Sequence, residues 1–287
     1  MSTPVAMPES PTTVPIQFQG RTLEIEYRLI PSAKPDADLL IFLHEGLGSV
    51  ALWKNWPDQL CAAGGYRGLV FSRYGYGAST PRPVDEHWPV EFMRDQAHEA
   101  LPALLRALGL DHERPILFGH SDGGSIALLY AARYPERVKA IVVAAPHLFV
   151  EDITIESIEE AREAYLHTDL RNKLGRYHND PDSAFWGWND IWLNPAFRAW
   201  NIEARLAPIR CPVLAIQGED DQYGSLDQIR HIRQQLPQTQ LCVLKQCRHS
   251  PHVDQPQLTI ATVVDFLGKA RVSANPQSMD NQPQIPT

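Results

Sequence analysis

No apolar run in the 287-residue sequence approaches the ~20 residues needed to cross a bilayer. There is no CxxC pair either, and Cys61, Cys211, Cys242 and Cys247 stand apart from one another. At this size such usage fits reduced thiols in a cytoplasmic protein, not a disulfide framework. No basic cluster with interleaved aromatics occurs. The formal net charge of −8 disfavours nucleic acid or an anionic membrane as partner. The opening MSTPVAMPESPTTVP lacks a basic region and an apolar stretch, so no secretory signal is expected. Nor does any repeat of about 20–50 residues appear. The composition that remains, 44% hydrophobic and 21% charged, is that of an ordinary globular chain with residues enough for a sizeable core. The expected partner is a small molecule, and the expected state a monomer or homodimer.

The hydrophobic pattern alternates between two periods. Residues 16–19 and 23–30 alternate apolar and polar, as antiparallel strands with one wet face do. Residues 38–44, 67–73, 114–119, 140–145, 212–218 and 241–245 are short apolar runs, as in buried parallel strands. Helical spacing marks 51–63, 90–110, 122–134 and 256–270. Strands alternating with helices predict an α/β fold: a mostly parallel, doubly wound sheet with helices on both faces. The stretch 147–206 breaks the alternation. It has helix-like acidic segments and an aromatic group, Phe185, Trp186, Trp188, Trp192, Phe197 and Trp200. It reads as a small helical cap over the sheet edge where ligands bind in such folds. The expected division is a disordered segment 1–15, core 16–146, cap 147–206, core 207–271 and a disordered tail 272–287.

Gly119-His120-Ser121-Asp122-Gly123 fits G-x-S-x-G. The pattern alone is common by chance. Here, however, it follows an apolar run and opens a helical one, the setting of a nucleophile elbow. A serine hydroxyl needs a base, and eleven histidines compete for that role. His120 adjoins the serine, but neighbouring side chains on a tight turn point apart, so local packing is expected of it. His44 is expected to shape the glycine loop that follows it. His87, His98, His112, His167, His178 and His231 fall in loop or surface-helix contexts. His249 follows an expected strand end and completes the chain order Ser…Asp…His, with His252 as rival. The acid is expected in Glu219-Asp220-Asp221, just past the preceding strand; Asp221 is preferred and Asp220 is next. His249-x-x-His252-x-Asp254 has no helical or strand spacing suited to a metal, so none is expected.

FLHEGLGS (42–49), SRYGYGAST (72–80), FGHSDGG (118–124), AIQGEDD (215–221) and CRHS (247–250) together resemble the α/β-hydrolase superfamily over roughly residues 20–270. The resemblance is to its capped esterase, lactonase and C–C hydrolase branches. It implies an α/β-hydrolase fold and a Ser121–His249–Asp221 triad. It also implies an oxyanion hole from the N–H of Asp122 and that of Gly46, or alternatively Leu47. Arg248 stands where the family usually has a glycine. No cofactor is implied. The expected activity is hydrolysis of a carboxylic ester or related acyl bond, with C–C hydrolysis of a ring-fission diketone as the alternative. A silent ligand-binding protein is a third reading. Glu45, Leu47, Trp186, Trp188 and Trp192 are candidates to contact substrate, and Arg198 to clamp a substrate carboxylate. At least half of Trp186, Trp188, Trp192 and Trp200 are expected instead to form the cap's own small core.

Glu45 is the anomaly, because related loops usually carry glycine there. Its carboxylate is expected to turn away from the N–H donors and to bond backbone N–H groups or an arginine such as Arg73. In the alternative it enters the pocket.

Overall fold

Among the described residues eight strands form one sheet in the order β1-β2-β4-β3-β5-β6-β7-β8. They are β1 (Thr13–Phe18), β2 (Arg21–Ile30), β3 (Leu39–Leu43), β4 (Arg67–Phe71), β5 (Ile116–His120), β6 (Ala140–Ala144), β7 (Val213–Gly218) and β8 (Thr239–Leu244). The structure, a computed structural model, describes residues 11–274. The expected disordered ends therefore fall largely outside the described residues. Where they overlap they are corrected, because Thr13–Phe18 is a strand and the last helix runs to Ala274.

β1, β2 and β4 pair antiparallel, and every other pair is parallel. The central strands β3, β5, β6 and β7 are buried at every position and largely apolar, because both faces are covered. Leu39, Ile41 and Leu43 of β3 join a cluster with Leu117, Val143 and Ala215. Leu40 and Phe42 join the opposite cluster with Phe118, Val142 and Ile216. The period-two alternation of a strand thus divides one run between two cores.

The second cluster is closed by α1 (Trp56–Gly64) and by α10 (Pro256–Ala274), which follows the short α9 (Pro251–Asp254). The first is closed by α2 (Phe92–Asp95), a π turn (Gln96–Ala100), α3 (Leu101–Ala107), α4 (Asp122–Arg133) and α8 (Asp227–Gln235). Between β6 and β7 the chain forms α5 (Asp152–His167), α6 (Leu170–Leu174), α7 (Pro181–Trp192) and two 3₁₀ turns, Pro195–Ala199 and Glu203–Arg205.

Two helices differ from expectation. The helix expected over 51–63 begins only at Trp56, because Lys54 takes a left-handed φ of 53° and Pro57 lies at the helix start. Trp53 and Trp56 still pack against the sheet, stacked with ring centroids 6.0 Å apart. The helix expected over 90–110 is interrupted by the π turn. Pro102 has no N–H to give to the His98 carbonyl four residues back. That carbonyl instead accepts the Tyr134 hydroxyl at 3.2 Å.

Candidate active site

β5 ends at His120, and α4 begins at Asp122. Ser121 makes the whole turn alone, with φ 52° and ψ −120°, a conformation that costs an L-residue roughly 1–3 kcal/mol. Its N–H donates to the Ala144 carbonyl on β6 at 2.9 Å. The flanking glycines are sterically required. A Cβ on Gly119 would lie 2.2 Å from the Gly123 carbonyl oxygen, and one on Gly123 would lie 2.1 Å from that of Leu43.

His249 lies beyond β8, and its Nε2 is 2.9 Å from Ser121 Oγ. Its Nδ1 is 2.8 and 3.0 Å from the two Asp221 carboxylate oxygens, so Nδ1 carries the hydrogen and Nε2 faces the hydroxyl. Asp221 is buried just past β7. It accepts the Tyr223 N–H at 2.8 Å and the Gln217 amide at 2.6 Å. Burial pushes its carboxyl up, but the charge and hydrogen bond of His249 outweigh this and hold it below the usual range. The rivals are elsewhere. Asp220 is exposed. His252 is buried against Trp53 at 4.7 Å and Trp56 at 5.4 Å, and has no hydrogen bond to Ser121 among the described residues. Asp254 accepts the Arg248 N–H at 2.8 Å.

The glycine loop after β3 is held by its carbonyls. The Glu45 carbonyl accepts from Gly48 N at 3.1 Å, His44 Nδ1 at 2.6 Å and Arg73 Nη2 at 2.8 Å. His44 Nε2 in turn accepts the Arg73 N–H. Burial, reinforced by the Arg73 charge, holds His44 neutral. Arg73 lies over the Tyr76 ring and reaches Asp122 Oδ2 at 3.4 Å, so it ties the loop to the elbow. His178, expected in a surface context, is buried. It accepts Gly77 N–H and donates to the Leu47 carbonyl at 3.0 Å. Among the described residues neither the Gly46 nor the Asp122 N–H has an acceptor in the turn and loop hydrogen bonding. Asp122 opens α4, where the first N–H groups have no helical partner.

Glu45 does not follow the expected direction. The residue lines the cavity; Arg73 holds its carbonyl, while a carboxylate oxygen lies 3.3 Å from His120 Nδ1, not against Arg73 or a backbone N–H. His120, expected to pack locally, instead reaches across the site, with Nε2 2.8 Å from the His249 carbonyl.

A cavity of about 190 Å³ opens over Ser121. Leu47, Trp188 and Trp192 line it, as do Glu45 and Gly46. Trp186 does not; it packs edge-on to Tyr165 and Phe185 beneath Arg162. Trp192 also belongs to the core and donates its indole N–H to Asp122 at 3.2 Å. Arg198 lies outside this lining, bound to Asp152 and to the Glu151 carbonyl. Sequence reasoning missed Thr154, Ile158, Gln222, Tyr223 and His147, which all contribute to the wall. His147 is buried and packs on Trp192 at 4.9 Å; burial and then the His249 charge bring its pKa down to about 3. Its position just past β6 was the available signal, since ligands gather at the carboxyl ends of parallel strands.

A strained serine between tight glycines, an imidazole and a buried carboxylate in line, and a cavity at the strand ends make this the candidate active site of the doubly wound sheet. Residues 38–190 match the model of the alpha/beta hydrolase fold family, and the chain belongs to that family. It is 26% identical over 258 residues to a 2-hydroxy-6-oxo-6-phenylhexa-2,4-dienoate hydrolase of Burkholderia cepacia, covering 80% of this chain and 87% of the relative. It is 28% identical over 218 residues to a bifunctional esterase/perhydrolase of Acinetobacter calcoaceticus, covering 64% and 74%. A carboxylesterase structure from Nitrososphaera gargenis superposes with a TM-score of 0.72 at 18% identity, covering 90% of this chain and 99% of the other; that likeness speaks for the fold. The chain is a hydrolase of this family. Among the described residues no helix is long and apolar enough to cross a membrane.

Proposed function

We propose that the protein hydrolyses a small, uncharged carboxylic ester through Ser121, His249 and Asp221. The observation that carries this reading is the line of hydrogen bonds from Asp221 through His249 to the Ser121 hydroxyl. His249 Nε2 takes the hydroxyl proton as Oγ attacks the carbonyl carbon. The tetrahedral oxyanion rests on the N–H groups of Gly46 and Asp122, and each such donor is worth about 10²–10³ in turnover. His249 returns the proton to the departing alkoxide. It then takes one from water, which attacks the acyl-enzyme, and passes it to Ser121 Oγ as the ester bond breaks and the acid leaves. Residues 147–206 act as a cap that supplies Trp188 and Trp192 to the cavity.

Size and charge favour the substrate class. About 190 Å³ is small beside the ~300–1,000 Å³ of drug-sized sites. Leu47, Ile158, Trp188 and Trp192 suit an apolar or aromatic group, and among the described residues the lining includes no lysine or arginine.

The second reading, C–C hydrolysis of a ring-fission diketone, draws on the dienoate hydrolase relatives. Such a substrate carries a carboxylate that needs a cationic anchor. Arg198, the candidate for that role, is engaged with Asp152 outside the cavity. The test is turnover of a short-chain aryl ester, a lactone and a ring-fission dienoate by wild type and Ser121→Ala. The expected result is ester turnover exceeding that of the dienoate, with all of it lost in Ser121→Ala. Preferential dienoate turnover, or an active Ser121→Ala, overturns the reading.

A further inference from the structure

We propose that Glu45, at the cavity wall, and the buried His120 form an ion pair that fixes the main chain of His249 and cancels the Glu45 charge beside the oxyanion pocket. The inference rests on the acyl-hydrolase reading for its consequence, but not for its structure.

The geometry starts from His120, which is 1% exposed. Both of its ring nitrogens face oxygen acceptors, Nδ1 a Glu45 carboxylate oxygen at 3.3 Å and Nε2 the His249 carbonyl at 2.8 Å. A neutral imidazole has one N–H and cannot donate to both. Two donors make it an imidazolium, and the carboxylate opposite balances its charge. The other arrangement puts the second proton on Glu45, which then donates to Nδ1.

The surroundings favour the charged form. Glu45 is faced by His120, His252 and His44, and His120 by Glu45, His249, Asp221, His252 and the Trp53 ring. Burial opposes charge on both partners. At Glu45 it is outweighed by the hydrogen bond and charge of His120, which hold the carboxyl well below its ordinary range. At His120 it is outweighed by the hydrogen bond and charge of Glu45, which raise the imidazole. His252 is kept neutral by its burial, at about 3, and His44 is held well below its ordinary value, so compensation falls to His120.

The pair has two consequences for the site. The bond to the His249 carbonyl adds a main-chain anchor to a side chain already held by Asp221, so the imidazole is fixed from both sides. The second consequence is electrostatic. Glu45 adjoins Gly46 and lines the cavity that holds Ser121. A lone carboxylate there would oppose the negative charge that builds on the substrate oxygen. His120 is therefore a positioning residue that acts through His249 and Glu45.

The deciding measurement is the ¹⁵N spectrum of the wild-type imidazoles, with His120 assigned through its backbone. Both nitrogens of His120 should be protonated at pH 7, whether or not any substrate is turned over. A His120 ring with one unprotonated nitrogen overturns the proposal. Kinetics on the aryl ester supply the second reading. His120→Gln should lower kcat more than tenfold with KM within twofold, and should move the acid limb of the pH profile upward as Glu45 loses its partner. Adding Glu45→Gln to His120→Gln should recover at least threefold of that loss. A double variant no faster than His120→Gln refutes the charge-cancelling role. Failure of the hydrolase reading is seen separately, as an active Ser121→Ala.

Discussion

The elbow at 119–124 and the glycine loop at 44–49 end neighbouring parallel strands and meet at one cavity. The elbow is fixed by exclusion. Backbone atoms stand where a Cβ on Gly119 or Gly123 would go, and nothing there can yield. The loop is fixed by partners: Arg73 and His178 hold its carbonyls, and His120 holds its carboxylate. Its tight contact at Gly46 is with the Trp188 side chain, at 2.1 Å from an added Cβ, and a side chain can move. One region is therefore rigid in its own geometry, while the other borrows its rigidity from elsewhere in the chain.

Substitution should separate the two. Gly123→Ala drives a Cβ into the Leu43 carbonyl and should cost about 3 kcal/mol, the upper end for overpacking. Thermal denaturation should show a fall on the order of 10 °C. A variant that melts with wild type would mean that the elbow can relax. Gly46→Ala should fold, because Trp188 can swing aside, but it should raise KM for the aryl ester several-fold. Adding Trp188→Ala should bring part of that back, and a Gly46→Ala protein as unstable as Gly123→Ala would erase the contrast.

The smallest effect is in the pH dependence of stability. His120 is raised in the fold, so its contribution is complete below the unfolded value of about 6.5 and is lost as pH rises through the folded one. Glu45 is lowered, so its contribution is complete above about 4.3 and is lost as pH falls through the folded value. The Tm gap between wild type and the Glu45→Gln/His120→Gln double variant should be widest between about pH 4.3 and 6.5 and narrow toward pH 10. A gap that stays unchanged from about pH 5 to about pH 10 contradicts the ion pair.

The same contrast explains what the sequence could tell. The elbow was legible because its constraints are local: an apolar run, two glycines and a helix start within a few residues. The sheet was legible because buried strands are apolar on both faces. The order Ser…Asp…His narrowed the partners, and His249 and Asp221 come together in space where His252 and Asp220 do not. The late start of α1 and the π turn were written in Pro57 and Pro102, which the apolar spacing outvoted. The direction of Glu45 was not legible, because its partner lies 75 positions away and competes with Arg73. His178 looked like a surface residue because its bonds to Gly77 and Leu47 span more than a hundred positions.

The central claim is that Ser121 is an activated nucleophile, and a fluorophosphonate probe tests it without knowledge of the natural substrate. Intact-mass analysis of the wild type should show one adduct per chain, and peptide mapping should place it on Ser121. Ser121→Ala should remain unlabelled under the same conditions while keeping its thermal stability. An unlabelled wild type, or a label that persists in Ser121→Ala, would contradict the account.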